Sequence, residues 1–111
     1  NAGARATTNI EMGRHVQLHA NCTIGHDAYL GDFVSVYPGA TVSGSVRIGD
    51  EVTVGTGANI LPGLSIGDRS TIAAGAVVTR DVPADSVVVG VPARRLNHDM
   101  SDADGPSAQG R

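Results

Sequence analysis

A chain of 111 residues with 8 basic and 11 acidic side chains and a formal charge of −3 holds one domain and offers no cationic surface for nucleic acid or anionic lipid. Its single Cys excludes an internal disulfide and a Cys-based zinc site, and no apolar run is long enough to span a bilayer. Aromatics are 3% of the residues against 15 Gly and 5 Pro, so any core must be built from stacked aliphatic side chains rather than rings. No charged, apolar, small-residue leader opens the sequence, and a lone Cys suits a reducing compartment, so a cytoplasmic location is expected. The first residue is Asn1, not Met, which fits a processed chain or an excerpt of a longer one.

Residues 1–9 (NAGARATTN) read as a lead-in or partial coil. From Ile10 a six-residue beat begins and runs through twelve hexads to Asp81. The third position of successive hexads is Met12, Leu18, Ile24, Leu30, Val36, Val42, Ile48, Val54, Ile60, Ile66, Ile72 and Val78. Only 27 of the 111 residues are Ile, Leu, Met or Val, so an unbroken aliphatic series at one phase reflects design and not composition. The first position is always small or aliphatic, from Ile10 through Ser70 and Ala76. Two inward residues flanking one outward residue, followed by a corner, describe a short strand and a turn. A helix is excluded, because a period of six cannot hold one face on a turn of about 3.6 residues.

A second period overlies the first. Leu30-Gly-Asp, Ile48-Gly-Asp and Ile66-Gly-Asp recur at 18-residue spacing, with Met12-Gly-Arg one step earlier. Three hexads therefore make one coil, and the glycine is expected where the corner needs backbone angles that a Cβ obstructs. About four coils over residues 10–81, each rising roughly 4.8 Å, predict an all-β, three-sided parallel solenoid about 19 Å tall. After Asp81 the beat stops. Residues 82–96 are an apolar strand and a Pro-marked turn suited to capping the stack, and residues 97–111 are polar and expected to be disordered.

The hexad pattern resembles the hexapeptide-repeat, left-handed parallel β-helix family, and the left hand is implied by that resemblance. Ile24 to Leu96 is similar, without gaps, to the branch of sialic-acid O-acetyltransferases and bacterial UDP-4-amino-sugar N-acetyltransferases. Three features carry the likeness: Gly-His26-Asp27 followed by Leu-Gly-Asp, the segment Ile60-Leu-Pro-Gly-Leu-Ser-Ile-Gly, and the closing Val89-Gly-Val-Pro-Ala-Arg-Arg-Leu96. The resemblance implies acetyl-coenzyme A as acyl donor, no metal, a sugar or nucleotide-sugar acceptor, and a homotrimer with sites between subunits. Members of that branch carry a further N-terminal domain for the nucleotide-sugar. This sequence lacks it, and is either a cut-out of the solenoid or a shorter relative with another acceptor.

Acyl transfer from a thioester needs a base for the acceptor proton and hydrogen-bond donors for the developing oxyanion. His26 suits the base, since imidazole titrates near neutral pH, and Asp27 suits the carboxylate that orients it. Neighbours on a strand point apart, so their contact requires a corner, where position 26 falls; the alternative is a solvated His-Asp pair without a role. One coil above His26 comes Gly44, a candidate oxyanion donor or simply the turn residue of Ser43-Gly-Ser, and two coils above comes Pro62. By correspondence with the family, Ser35, Thr56 and Ala74 fall where acetyl-coenzyme A is contacted, and Arg80, Arg94 and Arg95 are candidates for its phosphates or for a solvated end cap.

His19 stands where the branch has an acceptor-contacting Asn, and it is either a specificity change or a neutral surface substitution. Cys22 is expected to pack. A γ-type carbonic anhydrase is disfavoured because His15, His19 and His26 cluster early and no His follows until His98. The remaining alternative is a non-catalytic assembly solenoid.

Overall fold

The computed structural model describes residues 5–6 and 9–96; residues 1–4 and 7–8 of the lead-in and the expected tail 97–111 lie outside them. The hexads form the expected two-residue strands and stack into three parallel sheets. The first sheet contains β1 (Arg5–Ala6), β4 (Thr23–Ile24), β7 (Thr41–Val42), β10 (Asn59–Ile60) and β13 (Val77–Val78). The second contains β2 (Glu11–Met12), β5 (Tyr29–Leu30), β8 (Arg47–Ile48) and β11 (Ser65–Ile66). The third contains β3 (Gln17–Leu18), β6 (Ser35–Val36), β9 (Thr53–Val54), β12 (Thr71–Ile72), β14 (Val87–Val89) and β15 (Arg94–Arg95). Register is uniform at 18 residues: Thr23 aligns with Thr41, Thr41 with Asn59, and Asn59 with Val77. The result is an all-β, left-handed β-helix of hexapeptide repeats with about four coils.

The third-position residues point inward. Ile24, Leu30, Val36, Val42, Ile48, Val54, Ile60 and Ile72 are fully buried, and the small first-position residues Cys22, Val34, Ala40, Val46, Val52 and Ala58 join them. Each large aliphatic so buried contributes about 1.5–3 kcal/mol, and together they hold an axis with no room for water. Met12 departs from this pattern, being 41% exposed, because β2 is the edge of its sheet among the described residues.

The corners differ from the sequence expectation in where the unusual backbone lies. The positive φ falls at the sixth position of the hexad: Asn21, Asp27, Phe33, Ser45, Glu51 and Arg69 all have φ near 60°, beside Gly39, Gly57, Gly63 and Gly75. The fourth-position glycines of the Leu/Ile-Gly-Asp corners have ordinary φ values and serve close approach instead. A Cβ on Gly31 would meet the carbonyl carbon of Gly49 at 2.9 Å and the Asp50 carboxylate. That carboxylate belongs to a ladder up one corner. The N–H groups of Arg14, Asp32 and Asp50 donate at 2.8 Å to Oδ1 of Asp32, Asp50 and Asp68, respectively.

At Asp81 the step changes but parallel pairing continues, so this boundary does not end the stack. Ile66 bridges Val82 and Ile72 aligns with Val88, both two residues short of the 18-residue register. Side chains fill the gap: Ser65 N–H donates to Asp81 Oδ1 at 2.9 Å. The buried Ser70 hydroxyl donates to Pro83 O at 2.8 Å and accepts from Ser86 N–H at 3.3 Å. The chain then turns through Gly90 to Ala93, and β15 pairs antiparallel with β14.

Candidate active site

His26 and Asp27 lie where the first sheet turns into the second. Asp27 takes φ 61°, a backbone that Asp tolerates better than most residues, and this swings its carboxylate back toward the preceding side chain. The caution about adjacent residues is thereby met. With its proton on Nδ1, the imidazole donates to Asp27 Oδ2 at 3.1 Å, which leaves the Nε2 lone pair for another proton. Nε2 is directed at Gly44, one coil on: a Cβ there would sit 3.0 Å from it. Side-chain exposures of 66% for His26 and 54% for Asp27 mean that one chain does not enclose the pair.

Gly44 is distinguished by what its N–H lacks. At the Asp corner, fifth-position amides are taken by the carboxylate of the next coil. In the His26 corner the positions on the next coils are Gly44 and Pro62, whose side chains supply no acceptor. Among the described residues the Gly44 N–H makes no hydrogen bond, while Gly44 O accepts from Gly63 N–H at 3.0 Å. The residue that Nε2 approaches thus carries a backbone donor uncommitted among the described residues.

Arg80 follows Val78 in β13 and continues this corner one coil beyond Pro62. It shares a cleft of about 490 Å³ with Arg94 and Arg95, walled by Val88 and Pro92 and including Asp81 and Thr79, which sequence reasoning did not single out. Three coil steps of about 4.8 Å separate His26 from Arg80 along the axis. Ser35 sits on the third sheet, and Thr56 and Ala74 sit in the corner joining the third sheet to the first. One chain does not bring these three to His26. His19 occupies that same distant corner; its Nε2 is buried without a hydrogen-bond partner among the described residues, and its ring meets Tyr37 edge-on at 4.9 Å. Cys22 is buried, and burial pushes its thiol pKa up, as suits a packing residue.

Residues 9–44 and 45–80 each match the six-repeat bacterial transferase hexapeptide family, together more than half of the chain. The chain belongs to that family. Among solved structures it is similar to the serine acetyltransferase of Neisseria gonorrhoeae, with 35% identity and a TM-score of 0.80 over 85% of this chain and 40% of that one. It is also similar to WeeI from Acinetobacter baumannii AYE, at 32% identity and a TM-score of 0.72 over 85% of this chain and 55% of that one. The acetyltransferase domain of PglB from Neisseria gonorrhoeae FA1090, in complex with acetyl coenzyme A, gives 30% identity and a TM-score of 0.73 over the same shares, 85% and 55%. The chain thus spans about half or less of the length of these relatives. No protein with a curated description matches it significantly.

Proposed function

We propose that this chain moves an acetyl group from acetyl-coenzyme A to an amino or hydroxyl group of a sugar or nucleotide-sugar, as in the sialic-acid and UDP-4-amino-sugar branch. His26 Nε2 takes the acceptor proton as the acceptor attacks the thioester carbonyl. The C–S bond breaks, and coenzyme A leaves as the thiol. Asp27 orients the imidazole, and the Gly44 N–H faces the carbonyl oxygen as charge develops there.

The observation that carries this reading is the Nδ1 contact with Asp27 at 3.1 Å, with Nε2 turned toward Gly44, whose N–H has no acceptor among the described residues. The cleft of Arg80, Arg94 and Arg95, which Arg80 joins from the corner that holds His26, supports a donor with phosphates at one end and a thioester at the other. Ser35, Thr56 and Ala74 then belong to the pantetheine groove through a neighbouring copy, which is why the reading includes a homotrimer. His19 is an acceptor-side residue only in that assembly. A cytoplasmic location is part of the same proposal.

The test is calorimetric titration with acetyl-coenzyme A, paired with thiol-release assays on candidate acceptor sugars. Binding near one donor per chain is expected. His26→Ala should keep the affinity and lose about 10²- to 10⁴-fold in turnover. A folded sample that binds no donor would replace this reading with a non-catalytic assembly solenoid.

A further inference from the structure

The outward residues of the three sheets differ in size. The first sheet presents Thr23, Thr41, Asn59 and Val77, and the third presents Gln17, Ser35, Thr53 and Thr71, all short apart from Gln17. The second presents Glu11, Tyr29, Arg47 and Ser65 side by side on successive coils. Within that row the Arg47 guanidinium lies over the Tyr29 ring, 4.8 Å from its centroid. A long pair standing up from a flat sheet makes a wall. Against it opens a shallow cleft of about 520 Å³, lined also by Asp27, Glu11 and Asn9. The cavity therefore begins at the carboxylate that holds His26.

Arg47 differs from Arg14 and Arg69. Arg14 and Arg69 are each held by a carboxylate, at 3.1 and 2.7 Å. Among the described residues Arg47 has no ion-pair partner. Contact with the Tyr29 ring positions its guanidinium, whose N–H groups have no acceptor among the described residues. A planar cation, oriented but not neutralised, at the wall of a cavity is completed by an oxyanion accepting two parallel N–H bonds. Asp27 and Glu11 repel a second anion and favour hydroxyl or amino groups near them.

We propose that this cavity is the acceptor pocket, and that Arg47, braced on Tyr29, selects acceptors carrying a phosphate or carboxylate group. The proposal rests on the acetyl-transfer reading for what happens to the acceptor, while anion capture by Arg47 is measurable without any turnover. The probes are glucose 1-phosphate, glucuronate and neutral glucose, each titrated into the full chain while the Arg47 Nε–H resonance, identified by its loss in Arg47→Gln, is followed by NMR.

An anionic probe should shift that resonance and the Tyr29 ring signals, and glucose should not. The stronger of glucose 1-phosphate and glucuronate tells whether phosphate or carboxylate is the natural group. Arg47→Gln, at an exposed site, should keep its melting temperature and its affinity for acetyl-coenzyme A, yet weaken the anionic probe about tenfold or more. Equal binding of glucose, full affinity in Arg47→Gln, shifts confined to the Arg80 cleft, or no binding by any probe would each overturn the proposal. Loss of acetyl-coenzyme A binding in the parent chain would instead overturn the transfer reading, with the anion result standing on its own.

Discussion

His26 and Gly44 stand one coil apart, so close that a Cβ on Gly44 would lie 3.0 Å from Nε2 and 3.1 Å from Cε1 of the imidazole. The ring therefore occupies space that only glycine leaves. Gly25, in the same corner, is confined differently: its Cβ would meet backbone atoms, Gly44 N at 2.5 Å and the Ser43 carbonyl carbon at 2.7 Å. A side chain can swing aside where backbone cannot. Gly44→Ala should change stability by less than about 1 kcal/mol while lowering kcat about 10- to 100-fold through a displaced base. Gly25→Ala should cost about 2–3 kcal/mol in urea unfolding. Unaltered kcat in Gly44→Ala would remove His26 from the chemistry.

Acid stability should depend on two exposed carboxylates. Asp32 is held below its usual value of 3.8, first by the Arg14 N–H and then by the Arg14 guanidinium. Asp85 is lowered by its hydrogen bonds from the Arg69 guanidinium. A depressed folded pKa means that stabilisation is complete above the ordinary carboxylate pKa of about 4 and is lost as pH falls through the lower folded value. The urea midpoint should hold steady from about pH 7 to 5 and fall below about pH 4. The double variant Asp32→Asn, Asp85→Asn should flatten that fall, and an identical acid limb would show that other carboxylates control it.

Asp81 carries the two-residue shortfall of the last coil. Its carboxylate takes the Ser65 N–H that a strand carbonyl takes elsewhere, as in Arg47 N–H to Leu64 O at 2.9 Å. Asp81→Ala should cost about 1–2 kcal/mol, with Asp81→Asn closer to the parent because an oxygen acceptor remains. Equal unfolding midpoints for all three would show that water replaces the carboxylate without loss.

Glu51 sits at φ 58° with an exposed side chain. Left-handed backbone costs a Cβ residue about 1–2 kcal/mol, and Asn relieves part of it. Glu51→Asn should raise stability by about 0.5–1 kcal/mol, read as a higher melting temperature. A lower one would mean that the Glu51 charge near Arg69 contributes more than the strain.

The core was legible because twelve hexads repeat one instruction, and each burial from Cys22 to Val78 follows from its phase. The His26-Asp27 pair stood out too, since it falls where neighbouring repeats place small or neutral residues. What escaped were departures whose meaning depends on the neighbouring coil. The glycines of Leu30-Gly-Asp and its repeats were read as special in φ, yet their constraint is the coil above them. The true left-handed position includes Phe33, Glu51 and Arg69, which mask the Asn, Asp and Gly preference there. Tyr29 and Arg47 were passed over because a second-position residue appears merely outward until 18-residue register sets one upon the other.

The antiparallel turn of β15 on β14 also bears on growth. A parallel coil is a template, presenting unpaired N–H and C=O groups to the next strand of any chain. Here the last strand of the third sheet is followed by a reversed segment only two residues long, and both are arginines. Such an edge is too short and too charged to recruit another molecule end to end. The same fold that repeats so readily within one chain is thus turned back on itself at the end of its third sheet, among the described residues.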